Sequence, residues 1–158
     1  MNEPQRPGER PGIEVTIVYE DTDLIEVSVL ASNGRFSGLA LAYASPDAVR
    51  EFADLIAGFP RSPADRRAFT FGSFDPAYAN GAASLELSCK DAAGHAVVAV
   101  RLEAEREPDP PETATFRLDF EPAALERFVR QLRELRCGHG TAFLTACPAP
   151  AGAIGAVR

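Results

Sequence analysis

The chain has 158 residues, 46% hydrophobic and 25% charged, with 16 Lys+Arg against 23 Asp+Glu for a net charge of −7. That length suits one domain whose core needs neither disulfides nor metal, and no apolar run approaches the ~18 residues of a membrane helix, so no membrane span is expected. The acidic balance argues against coating nucleic acid, which needs clustered cations, and favours a basic partner or simply solubility.

Residues 1–12 (MNEPQRPGERPG) bury nothing apolar and are expected to be a flexible tail. They lack the apolar core of an export signal, which together with three unpatterned cysteines predicts a cytoplasmic protein. A single domain is expected over 13–136. Residues 13–19 (IEVTIVY) and 24–32 (LIEVSVLAS) are rich in β-branched residues and flank the acidic turn Glu20–Asp23, which reads as a hairpin. Asn33-Gly34 then precedes RFSGLALAY, the signature of a second hairpin with a type I′ turn.

Ser45-Pro46-Asp47 opens a helix over 46–57, with Val49, Phe52, Ile56 and Phe59 on one face and Gly58 and Pro60 as stops. A loop over 61–67 leads to a strand at 68–74. A further hairpin joins strands 84–90 and 95–105 through Asp91–Gly94. The acidic, proline-rich connector EREPDPPE leads to a strand at 114–120 and a second helix from Pro122 to about Leu135. Residues 137–158 are rich in Ala, Gly and Pro, with one β-like piece at 141–146, and read as a loose tail. YASPDAVREFADLI (43–56) and DFEPAALERFVRQL (119–132) echo one another at a shift of 76, which fits either a duplication or two common helix starts.

The order βββα–ββββα predicts an α+β fold: a mainly antiparallel sheet of about seven strands with two helices on one face. Alternation assigns Val27, Val29, Leu39, Leu41, Leu85, Leu87, Val98, Val100, Phe116 and Leu118 to the helix side. The opposite, open face then carries small and polar residues. Ser28, Gly38, Ala40, Ala42 and Ala99 form a patch, with Glu26, Glu86, Arg101 and Glu103 around it.

Chemical motifs are sparse. No phosphate-binding loop, HExxH, CxxC or GxSxG occurs, and no cofactor is expected. Cys137, His139 and Cys147, with Cys89 or His95, are the only zinc candidates, but their spacing suits incidental cysteines better. Cys89 shares a strand face with Leu85 and Leu87 and reads as a small hydrophobe rather than a reactive thiol. Asp91 and His95 face each other across a turn: either a poised general base or a turn-lining polar pair. Glu26, Glu86 and Glu103 as an acid/base set would need a cleft, which a flat sheet does not offer. Arg127, Arg130, Arg133 and Arg136 fit a solvated helix face better than a phosphate grip.

The Asn-Gly hairpin, the phenylalanine-centred helix, FTFGSF (69–74) and DAAGHAVVAVRLE (91–103) together resemble a family of small bacterial α/β proteins, a domain of unknown function with a D-x-x-G-H turn before an alternating strand. The resemblance covers roughly 13–135 and brings no catalytic residues. The layout is also similar to small immunity proteins of bacterial toxin systems, which implies an acidic, cytoplasmic protein that occludes a partner. The leading expectation is therefore a non-enzymatic protein-binding module or adaptor with a basic partner on the open face of Glu26, Ser28, Gly38, Ala40, Glu86, Arg101 and Glu103. The alternative is a small-ligand binder or enzyme with a pocket near His95. A structural subunit, with a homodimer paired through exposed sheet edges, is a third expectation.

Overall fold

A computed structural model describes residues 10–105 and 110–147. Three strands open the chain: β1 (Gly12–Glu20), β2 (Ile25–Ser32) and β3 (Ser37–Ala44), paired antiparallel in the order β3-β2-β1. Helix α1 (Ala48–Ile56) follows, then the meander β4 (Arg67–Gly72), β5 (Ala82–Cys89), β6 (Ala96–Glu103) and β7 (Thr113–Phe120). Helix α2 (Pro122–Glu134) and a short β8 (Ala142–Thr145) complete it. The fold is α+β, with antiparallel strands and two helices in the anticipated order. Its eight strands divide into two four-stranded sheets, β3-β2-β1-β8 and β4-β5-β6-β7.

The local chemistry explains the elements. Asp21 Oδ1 accepts the N–H groups of Asp23 and Leu24 and so closes the first turn. The second turn has four residues rather than the two of a type I′ turn. Asn33 Oδ1 accepts from Arg35 and Phe36, and Asn33 N–H bonds the Phe36 carbonyl. Pro122 takes the first turn of α2, where its missing N–H leaves nothing unsatisfied. The C-terminus of α1 is held by Arg67, whose Nη1 donates to the carbonyls of Leu55 and Ala57 at 3.0 and 2.7 Å while Nε and Nη2 grip Asp65 at 3.2 and 2.8 Å.

One hydrophobic core serves both sheets and both helices. Ile13, Val15, Val27 and Val29 of the first sheet and Leu85, Leu87, Val98, Val100, Phe116 and Leu118 of the second all face it. Phe52 of α1 sits at its centre, edge-on to Phe71 at 5.3 Å and to Phe128 of α2 at 6.0 Å, and stacked on Phe69 at 5.2 Å.

The two sheets meet at β3, which crosses the ends of the second-sheet strands. A Cβ on Gly38 would lie 3.0 Å from Leu102 Cδ1 and 3.2 Å from the Ala114 methyl; one on Gly72 would lie 3.0 Å from the Ala42 methyl. Gly72 also has φ +75°, a backbone open to glycine, and Gly81 N–H bonds the Leu41 carbonyl at 2.8 Å. So close a crossing admits only small side chains. Ala40 and Ala42 therefore take the buried side, each 0% exposed, and Leu39, Leu41 and Tyr43 turn outward, the reverse of the facing expected from hydrophobicity.

The chain after residue 136 also departs from expectation. Instead of a loose tail from 137, residues 137–147 belong to the fold: β8 pairs with β1 (Ile13 opposite Leu144) and buries Ala142 and Leu144. The physical reason is the free second edge of β1, which β8 satisfies while its alternate residues extend the core. Expectations for residues 1–9, 106–109 and 148–158 lie outside the described residues.

The inverted facing of β3 yields a paired prediction. Ala40→Leu overpacks the crossing and lowers stability by about 1–3 kcal/mol, whereas Leu39→Lys changes it by no more than about 0.5 kcal/mol. Urea unfolding midpoints of the two variants check this, and equal losses would place β3 the other way round.

Candidate functional site

Because β3 turns Leu39, Leu41 and Tyr43 outward, the first sheet presents an outer face unlike a solvated one. Strand register sets Leu39 beside Leu30, Leu41 beside Ser28, and Tyr43 beside Glu26. A bulge between Ile17 and Tyr19 reverses the alternation of β1, so Tyr19 pairs with Glu26 from the other side. Leu39, Tyr43 and Tyr19 are 51%, 42% and 48% exposed, and Phe36 in the adjoining turn is 64% exposed. Tyrosine and phenylalanine in such positions are side chains that anchor interfaces.

Glu26 lies between the two tyrosines. Its Oε2 accepts from Asn80 Nδ2 at 2.7 Å, which ties the 73–81 loop to the edge of the face. Tyr19 donates its hydroxyl to Asp21 Oδ2 at 2.9 Å; that bond, with the charge of Asp21, raises the phenol above its usual pKa. The Asp21 carboxyl is held below the usual range by the Asp23 and Leu24 N–H groups and by Tyr19. Between Gly12 and Ala44 the sequence carries Glu14, Glu20, Asp21, Asp23 and Glu26 against Arg35 alone. With five acids against one cation, the first three strands and their turns carry −4 of the net −7, because cations are scarce there.

The residues expected on one open face are not brought together. Glu26 and Ser28 are on the outer face of the first sheet. Glu86 and Arg101 are on the outer face of the second, Glu86 with Arg66 at 3.4 Å and Arg101 over the Phe74 ring at 3.9 Å. Gly38 lies in the sheet crossing, Ala40 is in the core, and Glu103 is 6% exposed at the end of β6, 3.9 Å from Arg101. Ala40 is thus corrected from a contact residue to a packing residue, because only a methyl fits where β3 passes the second sheet. Leu39 and Leu41 were missed because apolar residues in a strand were assigned to the core; Tyr43 shares their facing, and the bulge in β1 brings Tyr19 onto the same face.

A second candidate lies elsewhere. A cleft of about 490 Å³ is lined by Lys90, His95, Asp119, Glu121, Pro122 and Cys147, among others. His95 Nδ1 is 2.6 Å from Asp91 Oδ2, and Lys90 Nζ donates to Asp119 at 2.7 Å. The His95 hydrogen bond is the largest of the contacts that lower the Asp91 pKa. Burial, then Glu121 and Asp119, push the Cys147 thiol up, so it stays protonated and is a weak nucleophile. Among the described residues, no three His, Cys, Asp or Glu side chains are placed to hold a metal ion. Cys89 is half-buried against the core, its Sγ 3.8 Å from the Ser62 carbonyl. Arg127, Arg130, Arg133 and Arg136 lie exposed along α2, with Arg133 reaching Asp54 of α1 at 3.2 Å.

No helix among the described residues is long and apolar enough to cross a membrane. Comparison with known proteins finds no matching family model, no matching curated protein and no matching solved structure.

Three aspartates set the acid response. Asp65, held low by the Arg67 side chain and the Arg61 N–H, joins Asp21 and Asp91 in having a folded pKa below the usual 3.8. A depressed carboxylate contributes stability that is complete above its unfolded pKa and is lost as pH falls through the folded value. Stability should therefore hold through the neutral range as far as these groups govern it, and fall below about pH 4. Urea midpoints between pH 7 and pH 2.5 test this, and Asp65→Asn should flatten the acid limb.

Proposed function

We propose that this protein is a non-enzymatic binding module that holds a basic protein partner on the outer face of its first sheet, with Tyr19, Leu39, Leu41 and Tyr43 as apolar anchors and Glu26 among them. The observation that carries this reading is the outer row of β3. At a shift of 76 residues Leu39, Leu41 and Tyr43 correspond to Thr115, Arg117 and Asp119 of β7, the polar outer row a solvated strand carries. An apolar outer row left exposed on a charged, acidic protein marks a contact surface better than a solvated one.

Charge selects the partner. Five carboxylates between Gly12 and Ala44 attract a cationic surface and repel an acidic one. Occlusion of a basic target in the cytoplasm, the manner of small acidic immunity proteins, fits the resemblance in layout; bridging two proteins as an adaptor fits the same surface. The His95 cleft supports a second reading, a small-ligand site. Its Lys90 and His95 side chains already have carboxylate partners in Asp119 and Asp91, and burial raises the pKa of its thiol.

Affinity capture from source lysate tests the proposal when wild type is compared with Leu39→Asp, Tyr43→Ala and, as a control on the other sheet, Arg117→Glu. One dominant basic partner should be captured, more strongly at low salt. Loss of an interface anchor should weaken it tenfold or more, about 1.4 kcal/mol, while the control leaves it unchanged. Glu26→Lys should slow association and blunt its salt dependence. Capture that survives both anchor substitutions would overturn this surface. If instead only small molecules shift the melting temperature, and His95→Ala abolishes the shift, the cleft reading replaces it.

A further inference from the structure

Four strand edges close the two sheets, and three carry hydrogen bonds from outside their own ladder. On β7, Asn33 Nδ2 donates to the Arg117 carbonyl at 3.0 Å and Cys147 N–H to the Asp119 carbonyl at 2.7 Å. On β8, Gln131 Oε1 of α2 accepts the Phe143 N–H at 2.8 Å. On β3, Gly81 N–H caps the Leu41 carbonyl at 2.8 Å. β4 differs: among the described residues, no hydrogen bond from outside the sheet reaches residues 68–71. In an antiparallel ladder every second residue of an edge strand turns its N–H and C=O away from its neighbour. The outer edge of β4 is therefore a row of backbone groups open to another strand.

We propose that β4 is the seam of a homodimer, in which the strand pairs antiparallel with β4 of a second copy and joins the two second sheets across a twofold axis. Three observations select a second copy as the occupant. The strand Ala68-Phe69-Thr70-Phe71-Gly72 is uncharged, and no charge falls between Arg67 and Asp75, so nothing in it repels its own copy. The flanking charges are opposite in sign, Arg66 at the start and Asp75 past the end. Antiparallel pairing centred on Thr70 sets Arg66 of each strand one position from Asp75 of the other, while Asp65, which falls opposite Asp75, is neutralised by Arg67. Finally, the remaining edge of the same sheet is β7, which Asn33 and Cys147 cover, so pairing stops at two copies and does not propagate.

The residues along the seam suit this geometry. Ala68 and Thr70 are exposed and short. Arg67, the charge closest to the seam, is already committed to Asp65 and to the carbonyls of α1. The proposal does not depend on the partner proposed for the Tyr43 face.

Sedimentation equilibrium of the full chain over a wide concentration range tests the inference. The wild type should approach twice its chain mass of 16.9 kDa. Thr70→Lys sets two like charges against each other at the axis and should raise the dimer dissociation constant at least tenfold while far-UV circular dichroism is unchanged. A monomer at every concentration would overturn the proposal, and so would a folded Thr70→Lys that dimerises as the wild type does. Should Thr70→Lys fail to fold, Thr70→Cys decides. Mild oxidation should cross-link it rapidly at the axis, while Thr115→Cys, exposed on β7, should not cross-link. Equal cross-linking of the two would overturn the seam.

Discussion

The crossing of β3 over the second sheet is the constraint on which the rest of the molecule depends. Two antiparallel sheets can share one core only where their backbones approach closely enough to leave no void, and here the approach runs through Gly38, Ala40, Ala42, Gly72 and Gly81. With the sheets fixed at this crossing, the large side chains collect away from it. Phe52, Phe71 and Phe128 fill the space beside the helices, where the sheets leave room. The direction in which β3 faces is a consequence of the same constraint. A strand whose inner side admits only methyl groups must send its larger residues outward, and those residues are then available to touch something else.

Covering of the strand edges follows from the same architecture. Two four-stranded sheets expose four edges, where one eight-stranded sheet would expose two. Asn33, placed by the β2–β3 turn, and Cys147, placed by β8, both act on β7, so two segments distant in sequence close one edge. β8 in turn rests on β1 and receives Gln131 from α2. Residues 137–147 are thus tied into the fold through an edge that would otherwise lie open, a role their Ala- and Gly-rich composition conceals.

The fold class was legible because it rests on local signals. Alternation, turn residues and helix starts located seven strands and both helices; β8 showed only as a β-like piece at 141–146 inside an expected loose tail. The facing of β3 was not legible from the same signals. Hydrophobicity assigns Leu39 and Leu41 to the core, and the reason they are outside is a contact with β4–β7, residues more than twenty-five positions away in the chain. Hence the expected face failed as a unit: Glu26 and Ser28 share a surface, while Glu86 and Arg101 occupy another sheet and Ala40 none. The Asp91–His95 pair, set by a four-residue turn, was legible, since its geometry is local.

Added to Ser37–Ala44, the shift of 76 gives Thr113–Phe120, the bounds of β7. It aligns Ala40 with Phe116, Ala42 with Leu118 and Ala44 with Phe120, so the inner positions of one strand fall on the inner positions of the other. Aligned in this way, the two strands differ in opposite directions. β7 keeps large residues inside and polar ones outside, as a strand facing water does; β3 has small residues inside and apolar ones outside. The inner change is explained by the crossing, which leaves space only for glycine and alanine. The outer change is not required by it, because threonine, arginine or aspartate would fit the exposed positions equally well. An apolar outer row that packing does not demand is what a contact with another molecule would select, which is the argument for proposing the face of Leu39, Leu41 and Tyr43 as the contact surface.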